Sequence, residues 1–409
     1  VKNKEIKIAC LFNMNSNMFT IVRFLRDKGF DAHLLLVNED EHFLPEADSF
    51  NDDYKNFTHQ LNWWPKKPFA DGRFTDVTKK QIKNDLKEYN ILIGCGYAPA
   101  FIEYAGRKLD LFVPYGSDFY EVPFMKYWPA KKNTINNLYP RLQKKGIERA
   151  LNVVFDYTKE QEAVFKKFDL RGKRQFVFPP VFYTKDFNKK NISSYYTKSV
   201  LYPIMKNLRE ENQLLIFQHS RQSWENPQDE FSNKRNDILI KTFATFIKNK
   251  KIKSKLILLE YGNDVDASKK LIKTLDINDN VFWLPKSNRK ELFVAISFCD
   301  IGVAELGISF LMYGTVGEFM AMEVPFIHNC KISDYEGKYP SLYENNHADS
   351  EDSLLKHFEA YLSDKNQYKQ RAAETYRWFM HYIINEPLEK IMVMIEESYQ
   401  KPWYKKIFN

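Results

Sequence analysis

Cysteine is scarce in this chain: four residues in 409 (Cys10, Cys95, Cys299 and Cys330), none in a C-x-x-C pair. Such scatter argues against a disulfide framework or a zinc-finger site and fits a reducing compartment. No apolar run approaches the roughly 18–20 residues of a bilayer-spanning helix, which argues against a helical membrane channel. Residues 1–7 lead straight into an apolar strand pattern, so no secretory leader is expected. Fixed-period repeats are missing, which disfavours solenoids and propellers. The eight histidines fall in no H-E-x-x-H spacing, and neither G-x-S-x-G nor G-x-x-x-x-G-K-S/T occurs. Metal-site, hydrolase and kinase readings therefore get no support. Charge of one sign is also limited. The 61 Lys+Arg and 53 Asp+Glu leave a net +8, interspersed along the chain. Nucleic acid is not an expected partner.

What remains is a chain 44% hydrophobic and 28% charged, long enough for two or three globular domains. Residues 6–12 read as a strand, 18–29 as a helix stopped by Gly29, and 32–37 as a second strand. A β-α-β unit of this kind implies a parallel sheet. Buried strands over Ile91–Gly94, 111–114 and Asn152–Phe155 complete one open α/β domain. Residues 179–211, with Pro179-Pro180 and many polar side chains, read as an inter-domain connection containing some helix. A second α/β series follows, with strands over 213–217, 255–259, 280–284, 300–304 and 324–327, and helices that include 236–250 and 267–275. Two consecutive parallel α/β domains predict a cleft between them, where strand C-termini and helix N-termini converge.

Residues 305–327 (ELGISFLMYGTVGEFMAMEVPFI) carry the most chemistry. They read as a strand end, a loop with Gly314-Thr315 leading into a short helix, and another strand. Free amides at a helix N-terminus beside a glycine suit a phosphate. Glu318, about one turn in, places a carboxylate where it can accept bonds from sugar hydroxyls. An ordinary helix start with an acidic first-turn residue fits the same letters. Upstream, His219-Ser220-Arg221 follows a strand and Lys234-Arg235-Asn236-Asp237 precedes a helix. Arg221 offers a planar fork and Lys234 a point charge, both suited to a diphosphate leaving group; ordinary surface charge is the alternative.

Glu318-Phe-Met-Ala-Met-Glu-Val-Pro-Phe-Ile resembles the E-A-M-A-x-G-x-P-V-I signature of GT-B glycosyltransferases, especially the retaining, family-4-like group. Leu258-Leu259-Glu260-Tyr261-Gly262-Asn263-Asp264, Ile277-Asn278-Asp279-Asn280-Val281-Phe282-Trp283-Leu284-Pro285 and Asp300-Ile301-Gly302 extend the resemblance over residues 214–329. It is weaker over the first domain. The resemblance implies two Rossmann-like domains, 1–185 for the acceptor and 186–384 for the donor, with a C-terminal helix and tail, 385–409, crossing back to the first. It implies transfer of a sugar from a nucleotide-sugar to a glycan, lipid-linked or other hydroxyl acceptor, with retention and without a metal or cofactor. Glu318 would bind the donor ribose, and Gly314-Thr315-Val316 would approach its phosphates or sugar. Pro285 would lie near the base, with His219, Arg221 and Lys234 at the phosphates. The family often has a second acid eight residues before Glu318. Phe310 stands there, and Glu305 is the nearest acidic substitute. A sugar-nucleotide epimerase and a non-catalytic binding protein are the rival readings.

In the first domain, Tyr115-Gly116-Ser117-Asp118 is similar to a G-S-D turn found at the cleft of related enzymes. Asp118 could take a proton from the acceptor hydroxyl, or merely cap a tight turn. Asn15, Gly96, Ser117 and Asp118 are the acceptor-side candidates, and Asp118, Arg221 and Lys234 the catalytic ones. Gly94-Cys95-Gly96-Tyr97-Ala98-Pro99 breaks G-x-G-x-x-G at the third glycine, so no dinucleotide site is read there. Aromatics reach 16%, and three clusters mix them with lysine: 63–69 (WWPKKPF), 126–132 (KYWPAKK) and 401–408 (KPWYKKIF). They suit either peripheral contact with an anionic membrane face from the cytoplasm or loops packed beneath solvated lysines.

Overall fold

A computed structural model describes residues 5–37, 44–64, 75–125, 138–155, 159–228, 230, 232–312 and 314–400. The chain divides into two compact units, Val1–Tyr183 with Ile383–Asn409, and Thr184–Tyr382. The divisions drawn from sequence at 185/186 and 384/385 lie two residues away from these.

The first unit is built on seven strands: β1 (Lys7–Leu11), β2 (Asp31–Leu36), β3 (Thr58–Gln60), β4 (Ile91–Gly94), β5 (Leu111–Phe112), β6 (Asn152–Phe155) and β7 (Lys173–Phe176). Their order is β3-β2-β1-β4-β5-β6-β7, every pairing parallel. β1 and β4 are apolar and buried on both faces, as a sheet covered by helices on either side requires. The strand order reverses between β1 and β4, which leaves a crevice beyond their C-terminal ends. Helix Glu386–Gln400 puts Ile391, Met394 and Ile395 into this unit's core, one face of a 3.6-residue period. A six-residue π turn, Met380–Asn385, precedes it.

The second unit has β8 (Leu214–Gln218), β9 (Ser254–Glu260), β10 (Val281–Pro285), β11 (Ile301–Val303) and β12 (Phe326–Ile327), ordered β10-β9-β8-β11-β12 and all parallel. Here the order reverses between β8 and β11. Leu214, Ile216, Leu256, Leu258, Ile301 and Val303 form the core with Leu239 and Phe243 of helix Asn236–Asn249. Residues 184–211 correct the sequence reading of a connection. They pack into this unit: Phe187 meets Phe293 at 4.7 Å between ring centroids, and Tyr195 Oη and Ser199 Oγ donate to Glu291 at 2.9 and 2.5 Å. Buried aromatic and hydroxyl side chains, hidden among lysines and asparagines, hold the segment. Among the described residues no helix is long and apolar enough to cross a membrane.

Of the aromatic-basic clusters, 65–69, 126–132 and 401–408 lie outside the described residues. Trp63 is fully buried, stacked on Phe101 at 5.7 Å, with its indole N–H donated to Asp85 at 2.8 Å. It is a core residue and has no surface to offer a membrane.

Candidate active site

In the second unit, the chain leaves β8 at Gln218 and β11 at Val303, on either side of the order reversal. His219 follows directly after β8 and Glu305 two residues after β11. Helix Gly314–Ala321 supplies Glu318, and its seat depends on Gly302. A Cβ at Gly302 would lie 2.4 Å from ring atoms of Phe319, so only glycine lets this helix rest on β11. Phe319 in turn meets the His219 ring edge to face, with ring centroids 4.9 Å apart.

Glu318 is buried and held from two elements. His219 Nε2 lies 2.6 Å from one carboxylate oxygen, and Arg289 Nε donates to the other at 3.2 Å. Burial pushes this carboxyl upward, but the His219 bond and charge, and then Arg289, outweigh it, and it ends below its ordinary range. Arg289 opens helix Arg289–Phe298, whose N-cap Asn288 accepts from the Glu291 amide at 3.2 Å. Sequence reading missed Arg289. The Asn288 cap just after the β10 loop was the available signal, since it starts a helix with a cation at the strand's C-terminal end.

Lys234 and Glu305 form the second ionic pair, Nζ to Oε2 at 2.5 Å, with both side chains nearly buried. A chain of buried amides sets the loops that carry them. Asn236 Nδ2 donates to Gln218 Oε1 at 2.8 Å, Gln218 Nε2 to the Ala304 carbonyl at 3.2 Å, and the Ser223 amide to Asn236 Oδ1 at 3.0 Å. Asp264 Oδ2 accepts the amides of Trp224 and Glu225 at 2.6 and 2.9 Å, closing the 220–226 turn. Gly262, at φ +117°, lets that turn sit against it: a Cβ would lie 2.3 Å from the Gln222 carbonyl. Arg221 stands exposed on the turn with no side-chain partner among the described residues. Pro285 ends β10, exposed, and Lys286 lies over the Tyr261 ring at 5.0 Å. Gly314 is open, with nothing within 4 Å of a Cβ placed there, whereas the Val316 side chain is buried in the core.

Among the described residues, four buried polar atoms on the segment after β8 and at the start of helix Gly314–Ala321 have no hydrogen-bond partner: His219 Nδ1, Ser220 Oγ, Gln222 Nε2 and Thr315 Oγ1. Buried polar atoms are nearly always paired, so these four have bonding capacity to spare for a polar group.

In the first unit, Asn15 and Gly96 follow β1 and β4 and flank the order reversal. Asn15 is exposed and left-handed at φ 54°, and Ser117 is exposed. Asp118 is different. Its carboxylate is buried and accepts the amides of Gly96 at 2.9 Å, Tyr115 at 3.1 Å and Gly116 at 3.0 Å, tying the turn after β5 to the turn after β4. Gln143 Nε2 reinforces the join through the carbonyls of Gly96 and Asp118 at 2.9 and 3.0 Å. Burial pushes Asp118 up to about 7, against the lowering pull of those amides. This geometry is that of the turn-capping alternative. Asn13, likewise buried, accepts the Phe19 amide at 2.9 Å and so shapes the turn after β1. Among the described residues no three His, Cys, Asp or Glu side chains are grouped as a metal site.

No protein-family profile matches the chain, and no curated protein matches it either. Solved structures do. HepE from Anabaena, crystallised with UDP and glucose, is similar with a TM-score of 0.63 at 13% identity, over 96% of this chain and 100% of that one. WaaG, a glycosyltransferase involved in lipopolysaccharide biosynthesis, is similar with a TM-score of 0.55 at 14% identity, over 95% and 99%. A candidate UDP-N-acetylglucosamine 2-epimerase from Listeria monocytogenes gives 0.59 at 12% identity, over 97% and 98%. With two parallel α/β units and likeness over nearly its whole length, the chain has the fold of the GT-B glycosyltransferases.

Proposed function

We propose that this chain is a glycosyltransferase that moves a sugar from a nucleotide-sugar donor, held by the second unit, to a hydroxyl acceptor. The observation that carries the reading is the buried Glu318 carboxylate held by His219 and Arg289, with buried polar atoms of His219, Ser220, Gln222 and Thr315 that have no partner among the described residues, on the loops that follow β8 and β11 where the strand order reverses. Apolar packing cannot satisfy such a group, whereas ribose hydroxyls and phosphate oxygens can. Glu318, held ionised by His219 and Arg289, accepts bonds from ribose hydroxyls. Gly314 and Thr315, at the open N-terminus of their helix, face the phosphates. Arg221, with no side-chain partner among the described residues, and Lys234 offset the charge that grows on the diphosphate as the sugar leaves. Pro285 closes the base side.

On the acceptor side, the exposed Asn15 and Ser117 and the backbone at Gly96 bind the hydroxyl-bearing partner, a glycan or lipid-linked sugar. Asp118 holds the loops that present them. Transfer proceeds with retention and needs no metal, and the leaving phosphate assists removal of the acceptor proton. The enzyme works in the cytoplasm, where the lysine-aromatic segments 65–69, 126–132 and 401–408 bring it to the inner membrane face. UDP is the first nucleotide to test, because HepE is crystallised with it.

The test is thermal stabilisation of the full chain by UDP, GDP, CMP and ADP, with and without Glu318→Ala. A nucleotide at 100 times its dissociation constant adds about 2.7 kcal/mol. Stabilisation of the wild type alone supports the site, and equal stabilisation of both chains, or of neither, sinks it. Turnover of the donor with no acceptor present would move the assignment to an epimerase.

A further inference from the structure

We infer that Glu305 distinguishes the spent nucleotide from the donor: fixed on Lys234, its carboxylate disfavours a free nucleoside diphosphate relative to the same diphosphate esterified to a sugar, and so favours product release. This rests on the donor-site reading above.

Lys234 Nζ lies 2.5 Å from Glu305 Oε2, and neither group can withdraw by moving its backbone. The Lys234 amide donates to the Ser223 carbonyl at 2.6 Å, and the Glu305 carbonyl accepts from the Asn329 amide at 2.9 Å. The two loops also dovetail. Gly307 lies so close to Asn233 that a Cβ on it would sit 2.0 Å from that residue's carbonyl oxygen. An anion drawn to Lys234 therefore settles beside a buried carboxylate that is already there.

The reaction changes the charge of that anion. In the donor, each phosphate is linked on both sides, by one ester and the shared anhydride, and carries about one charge. As the sugar's C1–O bond breaks, its electron pair stays on the terminal phosphate oxygen, and a new C1–O bond forms to the acceptor. The acceptor's hydroxyl proton passes to that phosphate or to water. The released terminal phosphate keeps only its anhydride link, has a second pKa near 6 like a phosphate monoester, and gains most of another negative charge at neutral pH. One further unit charge about 6 Å from a carboxylate, at an effective dielectric of about 20, corresponds to roughly a hundredfold in affinity. Salt screening reduces this to some tens of fold. A residue that only tethered Lys234 would favour the more highly charged product, so the direction in which the ratio of the two affinities moves separates the roles.

Isothermal titration of the full-length chain and its Glu305→Gln variant with UDP and with UDP-glucose tests the inference, or with the corresponding pair for whichever base stabilises the wild type. The variant's gain in affinity should be at least tenfold larger for the diphosphate than for the nucleotide-sugar, and product inhibition should strengthen accordingly. Parallel weakening of both ligands, or an unchanged ratio, overturns it. The wild type offers a check that needs no variant: at pH 5.5, where the terminal phosphate is protonated, its discrimination between the two ligands should narrow several-fold, and an unaltered ratio also overturns the inference. Failure of both chains to bind any nucleotide would instead refute the donor-site reading, and this inference with it.

Discussion

Arg289→Met gives the sharpest view of how the candidate site is held together. Arg289 Nε is 3.2 Å from Glu318, and both side chains are largely shielded from water. Removing one partner of a buried ion pair leaves an uncompensated charge, which costs about 3–5 kcal/mol. Here His219 remains 2.6 Å from the other carboxylate oxygen and retains part of the compensation, so about 2–4 kcal/mol is expected. For a unit of this size that is roughly 4 to 15 °C in melting temperature.

The pH dependence has a definite sign. In the wild type Glu318 titrates below its ordinary range, so its pairing contributes stability above the unfolded carboxyl's pKa, about 4.3, and that contribution fades as pH falls through the folded value. Without Arg289, burial gains weight and the folded value rises, so the ionised carboxylate at neutral pH becomes a cost. The deficit of Arg289→Met relative to wild type should be full at pH 7 and should shrink as pH falls, closing only below the wild-type folded value, under the ordinary carboxyl range. Scanning calorimetry of both chains from about pH 8 down to about pH 3, through the ordinary carboxyl range, measures it. A deficit below about 1 kcal/mol, the range of surface pairs, would refute the reasoning, as would one independent of pH.

Two further predictions concern the supports on either side. Gly302→Ala places a methyl 2.4 Å from the Phe319 ring and should cost about 1–3 kcal/mol by overpacking, while weakening nucleotide binding through displacement of helix Gly314–Ala321; unchanged denaturant midpoint and affinity would contradict it. Asp118, raised by burial to about 7, should make the first unit lose stability as pH rises from about 4 to about 7; Asp118→Asn should remove that slope, and a side-chain carboxyl resonance titrating near 4 would overturn the assignment.

The chain's architecture was legible where burial dominates composition. The central strands β1, β4, β8 and β9 read directly because parallel strands covered on both faces need near-continuous apolar runs. β3 and β7 did not read. As edge strands of sequence THQ and KRQF they carry the polar and charged residues that edges favour, and no hydrophobic signal marks them. The helix after β11 was legible through Gly314-Thr315 and the apolar run behind Glu318, and the terminal helix through its repeat of apolar positions.

The pairings inside the site belong to tertiary structure. Arg289 is 29 residues from Glu318, and His219 is 99. Nothing local in either segment identifies the partner, because the contacts are made only when β8, β10 and the helix on β11 converge at one end of the sheet. Asp118 shows the same limit in the other direction. Its sequence context fits a proton acceptor and a turn cap equally, and the amides it accepts come from two different turns that no local pattern connects. Local spacing and hydrophobic pattern determined which elements form and where loops carry polar chemistry. Only the folded sheet decided which charge meets which, because ionic and hydrogen-bond partners are set by distance in space, over which sequence separation has no hold.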